Sequence, residues 1–152
     1  MMKSLSVLCS SLLLLAACDI DLGPSNVKVS EQPAAGLTDA SFDQGYLQQL
    51  VEETRQAAEA SLQQAYDRNN IPAQERTSHA KANGRYEWIG ERQLAVIDLS
   101  YSANPMRVMR VVGLADDRLL TISCISPQGA PLAFDADSGE CAEAIAAHFG
   151  SE

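Results

Sequence analysis

Between residues 41 and 68 apolar or small side chains return every three or four positions: Tyr46, Leu47, Leu50, Val51, Thr54, Ala58, Leu62, Ala65 and Tyr66. Glu52, Glu53, Arg55, Gln56, Glu59 and Gln63 fall largely on the other side. The spacing predicts an amphipathic helix over about 42–68. Ser41-Phe42-Asp43-Gln44 resembles a capping box, with Ser at the N-cap and Gln three residues on. Asn69-Asn70-Ile71-Pro72 ends the helix, because Asn tolerates the left-handed conformation and Pro cannot continue. Residues 72–84 read as loop.

The period then changes from three-and-a-half to two. Residues 85–89, Arg-Tyr-Glu-Trp-Ile, alternate, and Gly90-Glu91 turns the chain. Residues 93–102 form a strong strand with Ala95, Ile97, Leu99 and Tyr101 on one side. Asn104-Pro105 and Asp116-Asp117 are turns that separate strands over 106–114 and 118–126. Short turns make neighbouring strands antiparallel. Pro127, Gly129 and Pro131 begin an irregular crossing. Asp137 and Glu140 give a second N-terminal helix signature, and 142–149 reads as a final helix with Ile145 and Phe149 pointing inward. The expected fold class is α+β: an antiparallel β-meander of three to four strands packed by a long N-terminal helix and a short C-terminal helix.

The first forty residues do not follow either period. Residues 1–17 combine one positive side chain, Lys3, with a short apolar run and a small-residue end, the pattern of a secretory signal peptide. The run is about half the ~20 residues that a spanning helix needs. It ends Leu15-Ala16-Ala17-Cys18, which resembles the lipobox of bacterial lipoproteins. The resemblance implies that the Cys18 thiol receives a diacylglyceryl group and that cleavage leaves Cys18 as the first residue. Several acyl chains then anchor the protein in a bilayer. Asp19 after the cysteine favours retention at the inner membrane, with the outer membrane as the alternative. Residues 18–38, with Gly23-Pro24, Pro33 and Gly36, read as a flexible tether, although Val27-Lys28-Val29 allows a short edge strand. Residues 39–152 then form a single domain facing the periplasm.

At 152 residues the chain is sized for one such domain, and with 5% aromatics Leu, Val, Ile and Ala must fill its core. The net charge is −9, and removing residues 1–17 takes away Lys3 and no acid, leaving about −10. Nucleic acid and anionic headgroups are therefore poor partners for the surface as a whole. Arg76, Lys81, Arg85 and Arg92 are locally denser, and read as a solvated loop and strand edge. Of four cysteines, Cys9 leaves with the signal and Cys18 is acylated. Cys124 and Cys141 remain as an even pair in an oxidising compartment, most simply a disulfide from the last strand to the last helix. Two free buried thiols or half a metal site are the alternatives. Their separation of 17 residues does not match the C-x-x-C redox motif.

Candidate chemistry is sparse. His79 lies in the loop Thr77-Ser78-His79-Ala80-Lys81, and His148 lies in the last turn of the last helix, where a cation meets the helix dipole favourably. Neither stands in a nucleophile motif, and G-x-S-x-G does not occur. The stretch 134–140 resembles a calcium loop at first sight. Counting from Asp135, position 5 is Gly139, position 6 is Glu140 and position 12 is Ala146, so the EF-hand pattern fails. It reads as an acid-rich helix start, with a low-affinity cation site left open. Tyr86, Trp88 and Tyr101 are a possible ligand platform, or else core and cross-strand aromatics. No cofactor and no catalytic residue is expected.

Leu-Ala-Ala-Cys-Asp at the front, Gln93-Leu94-Ala95-Val96-Ile97, Leu119-Leu120-Thr121-Ile122 and the C-terminal helix together resemble the DcrB family of bacterial envelope lipoproteins, which share a PsbP-like fold. The resemblance covers roughly 42–150 and implies a helix-on-antiparallel-sheet domain with no catalytic residues. Two features depart from the family pattern: residues 19–40 are too short and irregular for the β-hairpin that usually precedes the helix, and the Cys124/Cys141 pair is additional. The function expected from these residues is a non-enzymatic binding or accessory role in the cell envelope. Its partners are the bilayer, through Cys18, and an envelope protein. A carrier of a small apolar ligand between sheet and helix, and an enzyme of unknown type, are the alternatives.

Overall fold

The computed structural model describes residues 26–132, 134 and 139–150. The segment read as a signal peptide, Cys18, Asp19, Asp135 and Asp137 lie outside the described residues. Five strands form one antiparallel sheet: β1 (Val27–Pro33), β2 (Ala80–Ile89), β3 (Arg92–Tyr101), β4 (Asn104–Ala115) and β5 (Arg118–Ser126), in the order β1-β5-β4-β3-β2. Two helices complete the α+β fold, α1 (Gln44–Arg68) and α2 (Glu140–Phe149).

The sheet therefore has five strands where three to four were expected. The additional one, β1, comes from the segment read as tether. It pairs with β5 from Val27↔Cys124 to Pro33↔Arg118. Its side chains are mixed on both faces, so no clean alternation betrays it. Lys28, Ser30 and Gln32 are half-buried on one face, while Val29 and Glu31 are exposed on the other. The backbone ladder, which gives β5 a neighbour, holds the segment in place. A single strand precedes α1 among the described residues, not a hairpin. β2 also starts five residues earlier than expected, at Ala80. Its first half is Ala-Lys-Ala-Asn-Gly, poor in β-formers, because α1 lies against it. A Cβ on Gly84 would sit 2.4 Å from Val51 Cγ2.

Asp43, not Ser41, caps α1: its Oδ1 accepts the Tyr46 amide at 2.8 Å. A charged acceptor at a helix N-terminus outweighs a hydroxyl two residues earlier. Ser41 instead accepts the Thr38 amide at 3.0 Å, within a short 3-10 turn at Asp39–Ser41. Gly139 occupies the N-cap position of α2.

Residues alternate between the faces, and each face meets one helix. Ala95, Ile97, Val112 and Leu119 pack under Phe42 and Leu47 at the start of α1, and Leu99 packs under Ala58. Leu94, Val96, Met109, Val111, Leu120 and Ile122 pack on the other face under Ile145 and Phe149 of α2. Leu94 to Ile97 are fully buried on both faces, so β3 is an inner strand of a three-layer stack. Gly113 admits Phe149: a Cβ there would meet Phe149 Cε1 at 2.8 Å and Leu94 Cδ2 at 2.3 Å. Cys124 and Cys141 form the disulfide, with Cα atoms 5.7 Å apart, and tie the first turn of α2 to β5.

Candidate functional site

An antiparallel meander sends alternate turns to opposite ends of the sheet. The β2–β3 and β4–β5 turns meet at one end, here called the upper end. The β3–β4 turn, the start of β1 and the end of α1 meet at the lower end. Gly90, with φ of 59°, and Asp116, with φ of 56°, make the two upper turns tight.

A hollow of about 640 Å³ opens at the upper end between these turns, residues 37–39 and the last residue of α2. Leu37, Ile89, Leu114 and Phe149 supply its apolar wall. Arg92 spans the wall: Nη1 donates to Leu114 O at 2.9 Å, and the guanidinium carbon lies 6.0 Å from the Phe149 ring centre. The carboxylates of Asp39, Glu91 and Asp116 stand exposed around the rim. Ala34 N donates to Asp117 O at 3.1 Å, which ties the chain before residue 37 to the β4–β5 turn. The hollow thus combines an apolar wall, a central cation and an acidic rim, features suited to binding.

The predicted aromatic platform is distributed along the sheet. Tyr86 stacks on Phe42 at 6.1 Å, and its hydroxyl donates to Asp43 O, pinning the start of α1 to β2. Burial, with the Asp43 charge second, pushes the Tyr86 phenol up from its usual range. Trp88 follows on the same face and is 59% exposed. Tyr101 faces Ala80 at the lower end, six positions along β3 from the Ala95 that pairs with Tyr86. Six strand residues span about 20 Å, so the structure brings Tyr86 and Trp88 together and leaves Tyr101 apart.

The histidines lie at separate places. His79 is exposed, with Nδ1 3.5 Å from Glu59 Oε1 and its amide donating to Ser102 Oγ at 2.9 Å. His148 is exposed in the last turn of α2. The cations Arg76, Lys81, Arg85 and Arg92 do not form one patch. Arg76 pairs with Asp67 at 2.8 Å, Arg85 pairs with Glu87 and Asp98, and Arg92 belongs to the hollow. No group of three or more His, Cys, Asp and Glu side chains is placed to hold a metal ion among the described residues. The space between α1 and the sheet is filled at Gly84, where Val51 and Leu47 close on the backbone.

The hollow was not foreseen from the sequence, although its acids fall in turns that the sequence does show. Glu91 and Asp116 lie two strands apart in a meander, which places their turns at one end. No family model, no curated protein and no solved structure matches the chain.

Proposed function

We propose that this chain is a bacterial lipoprotein, anchored in the cell membrane through acylated Cys18. Its α+β domain stands in the periplasm and acts as a non-enzymatic binding module in the envelope. The observation that carries the binding role is the upper hollow, with its apolar wall of Leu37, Ile89, Leu114 and Phe149 inside a rim of Asp39, Glu91 and Asp116. The disulfide between β5 and α2 supports an oxidising compartment. Lipobox, acidic surface and the resemblance to the DcrB family support the envelope, and Asp19 favours the inner membrane.

Two measurements test this reading. Cells given an alkyne fatty acid incorporate it into the wild-type chain and not into Cys18→Ser, which accumulates as precursor; label in the serine variant overturns the anchor. A photo-crosslinking residue at Glu91 yields a discrete adduct that Arg92→Glu abolishes. The same probe at Lys81 does not yield it. Equal adducts from both positions remove the hollow from the binding role.

A further inference from the structure

We infer that the lower end of the domain docks on the anionic phospholipid headgroups of the membrane that holds Cys18. The inference rests on the reading of Cys18 as the anchor, and its ground is the early start of β1. With β1 beginning at Val27, seven residues, 19–25, link Cys18 to Asn26. Whatever their conformation, seven residues reach at most about 25 Å, and a flexible chain of that length averages about 15 Å.

The chain joins the fold at the lower end, where Asn26 O accepts the Ile125 amide at 2.7 Å, one residue before β5 ends. Strands of ten residues are about 33 Å long. The anchor therefore holds the lower end near the bilayer and turns the upper hollow toward the periplasm.

The charges follow the same axis. Arg68, Lys81 and Arg107 are exposed at the lower end, and none of them has an ion pair among the described residues. Lys81 and Arg107 share one row across the sheet, Lys81↔Ser100↔Arg107↔Ser126. Of the nearby acids, Asp67 is held by Arg76, and Glu59 accepts the Ala80 amide at 2.7 Å beside His79. Glu75 alone is without an ion pair there among the described residues. The exposed acids Asp39, Glu91, Asp116 and Asp117 are at the other end, well beyond the ~8 Å over which salt leaves charges visible. Asp19 and Asp21 on the linking segment oppose the contact, so the electrostatic balance is small. Tethering at millimolar effective concentration makes a small balance sufficient.

The test supplies its own anchor. A chain beginning at Cys18 has that residue as its one thiol outside the disulfide, and a maleimide lipid couples it to vesicles whether or not cells acylate it. Trp88, the single tryptophan, reports the upper end. Trp88→Phe combined with Gln128→Trp reports the lower end, where Gln128 is exposed just after β5. With a headgroup-level quencher, the Gln128→Trp reporter is quenched more on phosphatidylglycerol vesicles than on phosphatidylcholine, while Trp88 is not. Lys81→Glu with Arg107→Glu lowers the docked-to-free ratio at least about 25-fold, from about fivefold for each cation lost before the added repulsion, and salt lowers it too. Equal quenching on both lipids, no response to the double reversal, or stronger quenching of Trp88 overturns the docking. Failure of fatty-acid labelling in cells overturns the anchor instead, and leaves this experiment's answer standing.

Discussion

Replacing both Cys124 and Cys141 with Ala separates the contribution of the cross-link from that of packing at α2. The bridge closes a segment of 17 residues between β5 and the first turn of the helix. Loop closure of that size constrains the unfolded chain by about 3 kcal/mol. α2 has ten residues, too few to be helical alone, and buries two large side chains, Ile145 and Phe149. Those two supply about 1.5–3 kcal/mol each, so the helix stays docked without the bridge but opens more often. The expected loss is about 3 kcal/mol, a fall of roughly 10–15 °C in melting temperature for a domain of this size. Melting followed by circular dichroism measures the loss, and hydrogen exchange locates it. Amides of 140–149 exchange fastest in the variant, while those of β3 speed up only as far as the fall in global stability allows. Thiol titration of the denatured wild type, processed to begin at Cys18, finds no free thiol at 124 and 141 before reduction and two after it. A melting temperature within a degree or two of wild type, or exchange at 140–149 no faster than in β3, would refute the assignment of the bridge as the main restraint on α2.

Gly84→Ala drives a Cβ to 2.4 Å from Val51 Cγ2 and 3.0 Å from Leu47 Cδ1 and lowers stability by about 1–3 kcal/mol; adding Val51→Ala recovers most of it in a double-mutant cycle. Burial raises the phenol pKa of Tyr46, Tyr86 and Tyr101 above 10.0. Above pH 10 the unfolded chain therefore holds fewer protons than the native state, and stability falls as pH rises, which absorbance titration of the phenolates alongside urea melts detects. Hydrogen bonds from Arg55 and Gln56 hold the Glu52 carboxyl down at about 2. Its support for α1 is present above the ordinary carboxyl pKa and is lost as pH falls toward 2, and a carbon-detected titration of Glu52 reads the value directly.

What the sequence made legible follows from how many helices cover each strand. β3 and β4 are packed on both faces, and the run Leu94 to Ile97 and the pair Val111 and Val112 are apolar enough to be seen at once. α1 itself is visible over 25 residues because one stripe, Leu47, Val51, Thr54 and Ala58, faces the sheet throughout. The edges were harder to read. β1 is held by its ladder to β5 and has one mostly exposed face, so Ser, Glu, Gln and Lys satisfy it as well as Val does. The first half of β2 is small because α1 crosses it closely, and small residues look like loop when the helix above them is unknown. The capping residue of α1 is ambiguous in the sequence because Ser41 and Asp43 both fit the rule, and Ser41 is engaged by its own local 3-10 turn with Thr38.

The two helices lie on opposite faces and toward opposite edges, α1 over β2 and β3, α2 over β4, β5 and β1. This offset explains the placement of the sheet's polar surface. Where α1 stops, its face of the sheet continues as the row Arg110–Ser123–Lys28, with Ser123 buried among longer side chains. Where α2 stops, the opposite face continues as Asn83, Arg85 and Asp98, closed by ion pairs from Arg85 to Asp98 and Glu87. Each half-face that lacks a helix thus carries polar and charged side chains instead of an apolar stripe. Among the described residues the exposed large apolar side chains are Val29 on the edge strand β1 and Trp88 on β2, and the half-buried Leu37, Ile89 and Leu114 gather around the hollow at the upper end. An apolar wall left open where most of the sheet is covered or charged is the feature that carries the binding role proposed above. With Cys18 as the proposed anchor, the short link leaves that surface pointing away from the membrane.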